Sequence, residues 1–173
     1  MPSGSIDRII RELEEASENL RLSGYPILIP EGGVQVAYAL PAARGKDDVA
    51  VLSNDRISIS SDCPVTRMVL TAMRFDSSIR CVAVIRYSKE VLSACSAMLL
   101  EICSFDRVHE PPGITTIDWG VAFCCERSDG VPDIIYDLGC TGREPVIRIL
   151  GENPTRISAS LNRIVTRIKT TNL

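Results

Sequence analysis

The sequence carries one histidine, one tryptophan and three phenylalanines among its 173 residues, and aromatic residues make up only 5% of it. A single histidine, His109, excludes any metal centre that needs several imidazoles. It stands beside Glu110 and ahead of Pro111-Pro112, without the orienting partner a general base requires. Uninterrupted apolar runs are short, as at 82–85, far from the ~20 residues of a membrane span. The N-terminus turns polar and charged within a few residues, which argues against a signal peptide. A formal net charge of −3 leaves no basic footprint for nucleic acid. P-loop, dinucleotide fingerprint and nucleophile elbow are all missing.

What is present fits one soluble domain of ordinary size: 45% hydrophobic and 24% charged residues, without repeats or low-complexity tracts. The seven cysteines form no C-x-x-C and mostly lie among apolar residues. They read as small core hydrophobes in a reducing cytoplasm. Lysine is scarce, with 3 Lys against 16 Arg. Genome composition is one explanation. The other is that several guanidinium forks serve as anion clamps.

The pattern of periods predicts an α/β fold. An amphipathic helix is expected over 6–22, capped by Ser5 and ended by Gly24 and Pro26. It serves either as a linker or dimerisation helix or as a part of its own domain's core. A strand follows at 34–40, then a hairpin of 48–52 and 56–60 around Ser53-Asn54-Asp55. Pro64 fits the first position of a helix running to Phe75, and 80–87 is apolar on both faces, as a central strand would be. Ser88 caps a helix to Met98, with a strand at 99–104 after it. A helix from about Asp118, short strands at 133–136 and 146–150, and a last helix over 154–169 complete a mixed sheet covered on both faces.

Polar residues and glycines gather at the ends of these elements, where sites in such sheets form. Arg44 follows the first strand, and Arg67 lies one turn into the Pro64 helix, near its positive end. Asp106-Arg107 and Glu110 follow the 99–104 strand, and Trp119 opens a helix. The run Asp137-Leu138-Gly139-Cys140-Thr141-Gly142-Arg143-Glu144-Pro145 joins two strands. Each has a bland reading: Asp106-Arg107 as a surface ion pair, Gly139–Gly142 as an ordinary turn, Trp119 as core. Composition and spacing reach an α/β domain with an anion-binding rim, and no further.

Taken in order, the segments ILIPEGGVQVAYALPAARGKDDVAVL, TRMVLTAMRFDSSIRCVAVIRYS, SFDRVHEPP, TTIDWG and PDIIYDLGCTGREPVIRILG resemble the archaeal ThiN-type thiamine-phosphate synthase domain. The similarity runs over about 27–168, so the chain divides into an N-terminal helix (1–24) and a ThiN-type domain (25–173). The resemblance implies a three-layer α/β/α sandwich shared with class II aldolases, with a mixed, largely antiparallel sheet. The family enzyme joins hydroxymethylpyrimidine diphosphate to thiazole phosphate, and the leaving diphosphate develops negative charge that arginines and backbone N–H groups would stabilise. Matched to the family's pattern are Arg44, Arg67, Asp106, Arg107, Glu110, Trp119, Asp137, Gly139, Gly142, Arg143, Glu144 and Pro145. The resemblance places Arg44 and Arg67 on phosphate, which would make them the catalytic pair of an active enzyme. It places Gly139–Gly142 with Arg143 on a second anion, and Asp106 or Glu110 on ring polar groups. No cofactor is implied beyond Mg²⁺ on the diphosphate of an active enzyme, held by Asp106 or Asp137.

One position departs from the pattern. Synthase members carry a histidine three residues before the arginine of this helix, and here that position is Pro64, which offers no side-chain proton or hydrogen bond. Members lacking the histidine belong to transcription regulators that sense thiamine phosphates. The expectation is therefore a cytoplasmic effector-sensing domain that binds thiamine phosphate or diphosphate, with an active synthase as the alternative. The implied partners are thiamine phosphate or its phosphorylated precursors, a second copy in a homodimer, and a helix-turn-helix domain, fused or separate, that would carry the nucleic-acid contact. No membrane contact is expected.

Overall fold

The computed structural model describes residues 2–22, 25–113 and 117–171. Its helices are α1 (Pro2–Leu20), α2 (Pro64–Phe75), α3 (Lys89–Ala97), α4 (Trp119–Arg127) and α5 (Pro154–Thr171). Its strands are β1 (Gln35–Ala39), β2 (Val49–Ser53), β3 (Arg56–Ile59), β4 (Cys81–Arg86), β5 (Ile102–Ser104), β6 (Ile134–Asp137) and β7 (Val146–Gly151). The strands form one sheet in the order β3-β2-β1-β4-β7-β6-β5. Every pair is antiparallel except β5 with β6. No helix among the described residues is long and apolar enough to cross a membrane.

Because strand side chains alternate faces, the sheet divides the interior into two cores. On one side Val36, Ala83, Ile85 and Ile147 meet Leu13 of α1, Val91 of α3 and Leu161 of α5. On the other, Ala37, Val51 and Val82 meet Val65 and Val69 of α2 with Val121 of α4. This is the expected α/β/α sandwich. The doubly apolar segment is β4, fourth of seven strands, and it is buried on both faces. Asn54 and Asp55, with φ of 52° and 62°, make the tight turn of the β2–β3 hairpin, as primed two-residue turns require.

Two local expectations change, and a third lies beyond what the structure describes. Ser5 lies inside α1 rather than at its cap, since the helix begins at Pro2. Gly24, expected to help end that helix, lies outside the described residues. The strand expected from 99 begins only at Ile102, because Leu99 takes a left-handed φ of 62° that cannot continue a ladder. The apolar stripe of α1 is spent on its own domain: Ile9, Leu13, Ala16 and Leu20 are buried in the first core. Of the cysteines, Cys81, Cys95, Cys124 and Cys125 are buried, Cys63 and Cys103 half-buried, and Cys140 exposed.

Burial of these thiols has a measurable consequence. It pushes Cys95 and Cys125 from their ordinary 9.0 up to about 11, and raises Cys81 and Cys124 as well. Tyr38 is pushed from 10.0 to about 12, first by burial and then by the bond its hydroxyl donates to Glu12. Above these ordinary values the unfolded chain loses its protons first, while the folded chain still holds them. Stability should therefore fall as pH rises through about 9 to 12. The urea midpoint is expected to drop steadily over that window, and Tyr38→Phe to flatten the part above pH 10. A midpoint unchanged between about pH 8 and 11 would contradict this.

Candidate functional site

Two clefts open on the α2/α4 side of the sheet, and they share a wall at Arg67. Pro64 sets that wall: at the first helical position its fixed φ starts α2, and its missing N–H leaves nothing unpaired. Three residues on, Arg67 projects half-buried between the two clefts. The larger, about 730 Å³, runs from Arg44, Gly45 and Lys46 after β1 along α2 to Arg74. The smaller, about 310 Å³, is walled by Pro64, Arg107, Glu110, Trp119, Arg143 and Glu144.

The charges of the smaller cleft are tied together. Beneath it, the fully buried carboxylate of Asp137 accepts from Arg107 Nε at 2.8 Å, from the Gly139 N–H at 2.9 Å and from Arg148 at 2.9 Å. Glu110 Oε2 lies 3.5 Å from both Arg107 and Arg143. Glu144 accepts from the main-chain N–H of Glu31 at 2.6 Å and from Arg86 at 3.2 Å. An aromatic stack backs this network. The Arg148 guanidinium lies 4.9 Å from the centre of the Phe105 ring, and Phe105 meets Trp119 edge to face at 5.7 Å. Gly120 makes that packing possible, since a Cβ there would strike the Phe105 ring. Arg148 Nε is buried without a hydrogen-bond partner; its ring contact supplies part of what is missing.

The larger cleft is different in kind. None of the ion pairs among the described residues includes Arg44, Lys46, Arg67 or Arg74. Its one lining carboxylate is Asp62. An unpaired set of cations facing one concavity in a chain of net charge −3 is what an anion site requires.

The structure therefore brings Arg44, Arg67, Arg107, Glu110, Trp119, Arg143 and Glu144 to the two clefts. It sets the five other matched residues apart. Asp106 caps its own 3-10 turn by accepting the Val108 N–H at 3.0 Å. Asp137 is buried below the cleft. Gly139 and Gly142, at φ of 76° and 80°, are demanded by the turn itself, closed by the Cys140–Arg143 bonds of 2.9 and 3.0 Å. The Gly139 N–H is already given to Asp137, so it is not free for phosphate. Pro145 lends its carbonyl to Tyr87 across the strand end. His109 is exposed on the 3-10 turn.

Of the two carboxylates expected to hold Mg²⁺, Asp137 is saturated by two guanidinium groups and an amide, and Asp106, with one oxygen given to its cap, lines neither cleft. No other group of three His, Cys, Asp or Glu residues among those described is placed to hold a metal ion. Residue-level reading missed Arg148, Arg86, Lys46 and Arg74. For Arg148 a signal existed, since a lone arginine within Val146-Ile147-Arg148-Ile149-Leu150 must be paired if the strand is buried.

The model of the thiamine-phosphate synthase ThiN family matches residues 12–163. The bifunctional thiamine biosynthesis protein ThiDN of Methanocaldococcus jannaschii is 32% identical over 164 residues, which are 87% of this chain and 39% of that protein. The chain thus spans well under half of that relative. The thiamine-phosphate synthase ThiN of Methanothermobacter thermautotrophicus is 25% identical over 95% of this chain and 94% of its own length. Among solved structures, the C-terminal domain of protein MJ0236 superposes with a TM-score of 0.84 at 30% identity, covering 96% of this chain and 98% of its own. YgbL from Klebsiella pneumoniae, of the aldolase/epimerase/decarboxylase type, shares the fold alone: TM-score 0.54, 11% identity, 96% and 89% covered. With the family's pattern running through both cores and both clefts, from α1 to α5, this chain belongs to the ThiN family of thiamine biosynthesis.

Proposed function

We propose that this chain binds thiamine phosphate across the two clefts and acts as an effector-sensing domain rather than a catalyst. The phosphate end lies on Arg44 and Arg67, and the ring end stands against Trp119. The observation that carries this is Pro64. It forms part of the smaller cleft's wall beside Arg67, where the family pattern has a histidine, so the anion-binding cations remain while the side chain able to move a proton is gone. The carboxylates lining the smaller cleft are engaged, Asp118 as a cap and Glu110 and Glu144 by guanidinium groups.

Calorimetry with thiamine phosphate tests the reading, and Trp119, the single tryptophan, reports occupancy through its fluorescence. Saturable binding well below about 1 mM, with a change in emission, is expected; no heat and no emission change at that concentration would sink it.

The second reading is an active synthase. It is favoured by the near full-length match to a protein named thiamine-phosphate synthase, and by guanidinium groups free to receive the charge of a leaving diphosphate. In that reaction the thiazole nitrogen bonds to the pyrimidine methylene as the methylene–oxygen bond to diphosphate breaks. An assay with both phosphorylated precursors separates the two: no thiamine phosphate above background supports sensing, and turnover supports synthesis. If the missing side chain is what silences catalysis, Pro64→His should raise the rate.

A further inference from the structure

We infer that Thr71 is a positioning residue of the two-cleft site: it ties the helix that carries Arg67 to the helix that opens with Trp119. The inference rests on the reading that the ligand's phosphate end meets Arg67 and its ring end Trp119. It concerns what holds those two side chains at a fixed offset.

Thr71 lies four residues beyond Arg67 on α2, about 6 Å along the axis and on the same face. It is only 2% exposed and borders the larger cleft, as Arg67 does. Its hydroxyl oxygen accepts the main-chain N–H of Asp118 at 2.9 Å. Asp118 in turn caps α4: its carboxylate accepts from the Val121 N–H and its carbonyl from the Ala122 N–H, both at 3.0 Å. Trp119 is the next residue, and it lines the smaller cleft together with Asp118 and Arg67.

The residue type supports this role. Met68 and Ala72, beside Thr71 on α2, belong to the second core, where valine would fill the same space without a polar atom. A buried hydroxyl is costly there unless it is paired, and the pairing found reaches an amide 47 residues away. Val65 and Val69 packed with Val121 hold α2 and α4 together, but apolar contact is non-directional and permits sliding. A hydrogen bond of 2.9 Å is directional and sets the register. The aromatic neighbours of Trp119 do not reach α2: Phe105 follows β5 and Phe123 lies on α4 itself. Thr71 thus sets where the indole stands relative to the guanidinium, and a ligand finds both ends prepared.

Trp119 is the single tryptophan, so acrylamide quenching of its fluorescence reads the tie without any ligand. Thr71→Val keeps the shape and removes the acceptor; it should raise quenching by about twofold, as a loosened first turn opens more often. Thr71→Ser, which keeps the oxygen, should stay close to the parent. Calorimetry then separates positioning from a merely structural role. Thr71→Val should weaken thiamine phosphate by roughly tenfold, the cost of ordering a loosened ring, and leave inorganic phosphate within about twofold. Thr71→Ser should restore the affinity. Unchanged quenching in Thr71→Val, or an equal loss for both ligands, overturns the inference. Should Thr71→Val not fold, amide exchange in the unaltered chain decides: the Asp118 N–H should be protected, and exchange at the rate of an open loop overturns the tie.

The two readings fail separately. If the parent binds thiamine phosphate and Thr71→Val binds it equally well, the inference falls and the sensing reading stands. If the parent binds no thiamine phosphate while Thr71→Val still frees Trp119, the sensing reading falls and the tie from Thr71 to α4 stands.

Discussion

Replacing Asp137 with alanine is expected to destabilise the fold by about 3–5 kcal/mol, the usual cost of orphaning a buried charge. The Asp137 carboxylate is fully buried and bonds Arg148, itself 1% exposed, and Arg107, 15% exposed. The pair need not add net stability, because both groups gave up hydration to reach the interior. Removing one partner is a different matter: Arg148 then keeps its charge among Phe105 and apolar neighbours with nothing to answer it. The same change frees Arg107 and the Gly139 amide, so the smaller cleft loses its floor as well. Urea unfolding measures the effect. Asp137→Asn keeps the shape but turns a donor toward a donor, and should recover little. Asp137→Ala with Arg148→Met removes both charges and should recover a good part of the loss. A loss below about 1 kcal/mol for Asp137→Ala would mean that water reaches the pair, contrary to the burial seen here.

Arg67→Ala should weaken thiamine phosphate binding by roughly a hundredfold, about 2.8 kcal/mol at 1.4 kcal/mol per decade. Arg67 is the arginine common to both clefts, is half-buried, and has no carboxylate partner among the described residues. Its guanidinium is therefore free for the ligand, and its loss is felt at both ends of it. Arg67→Lys restores the charge but not the two-pronged geometry, so it should recover only part. Arg143→Ala gives the contrast. That side chain is 57% exposed and shares Glu110 with Arg107, so its loss should cost less than about tenfold. Titration calorimetry ranks the three. Arg67→Ala binding within about threefold of the parent would remove Arg67 from the site.

Much of the architecture was legible because it depends on short-range pattern. Pro64 at a helix start, Ser88 as a cap accepting from the Glu90 N–H at 3.2 Å, and the Asn54-Asp55 hairpin each follow from one or two residues' backbone preferences. The apolar centre of 82–85 marked β4 as central for the same reason: both of its faces need cover. The boundaries that moved did so where chain neighbours say little. Nothing in Ser5 tells that α1 begins at Pro2, and nothing in Leu99 announces a left-handed turn.

The sequence by itself determined the class of fold, the family pattern, and the residues from which an anion site would be made, because periodicity and residue chemistry are local properties. Whether a charge is free or spent was decided only by the tertiary structure. Glu144 is tied to Glu31 across 113 residues, Asp137 to Arg107 across 30, and the Asp118 amide to Thr71 across 47. Such pairings follow from which strands lie side by side, and no spacing along the chain records them. In the folded molecule Asp106, Asp137, Gly139 and Gly142 become framework. Arg67 becomes the hinge of two clefts, and Lys46 and Arg74, unremarkable in sequence, stand unpaired beside it. The physical reason is the desolvation of charge: a buried ion must find its counterion within a few ångströms, whereas a cation left open to a cleft can wait for one.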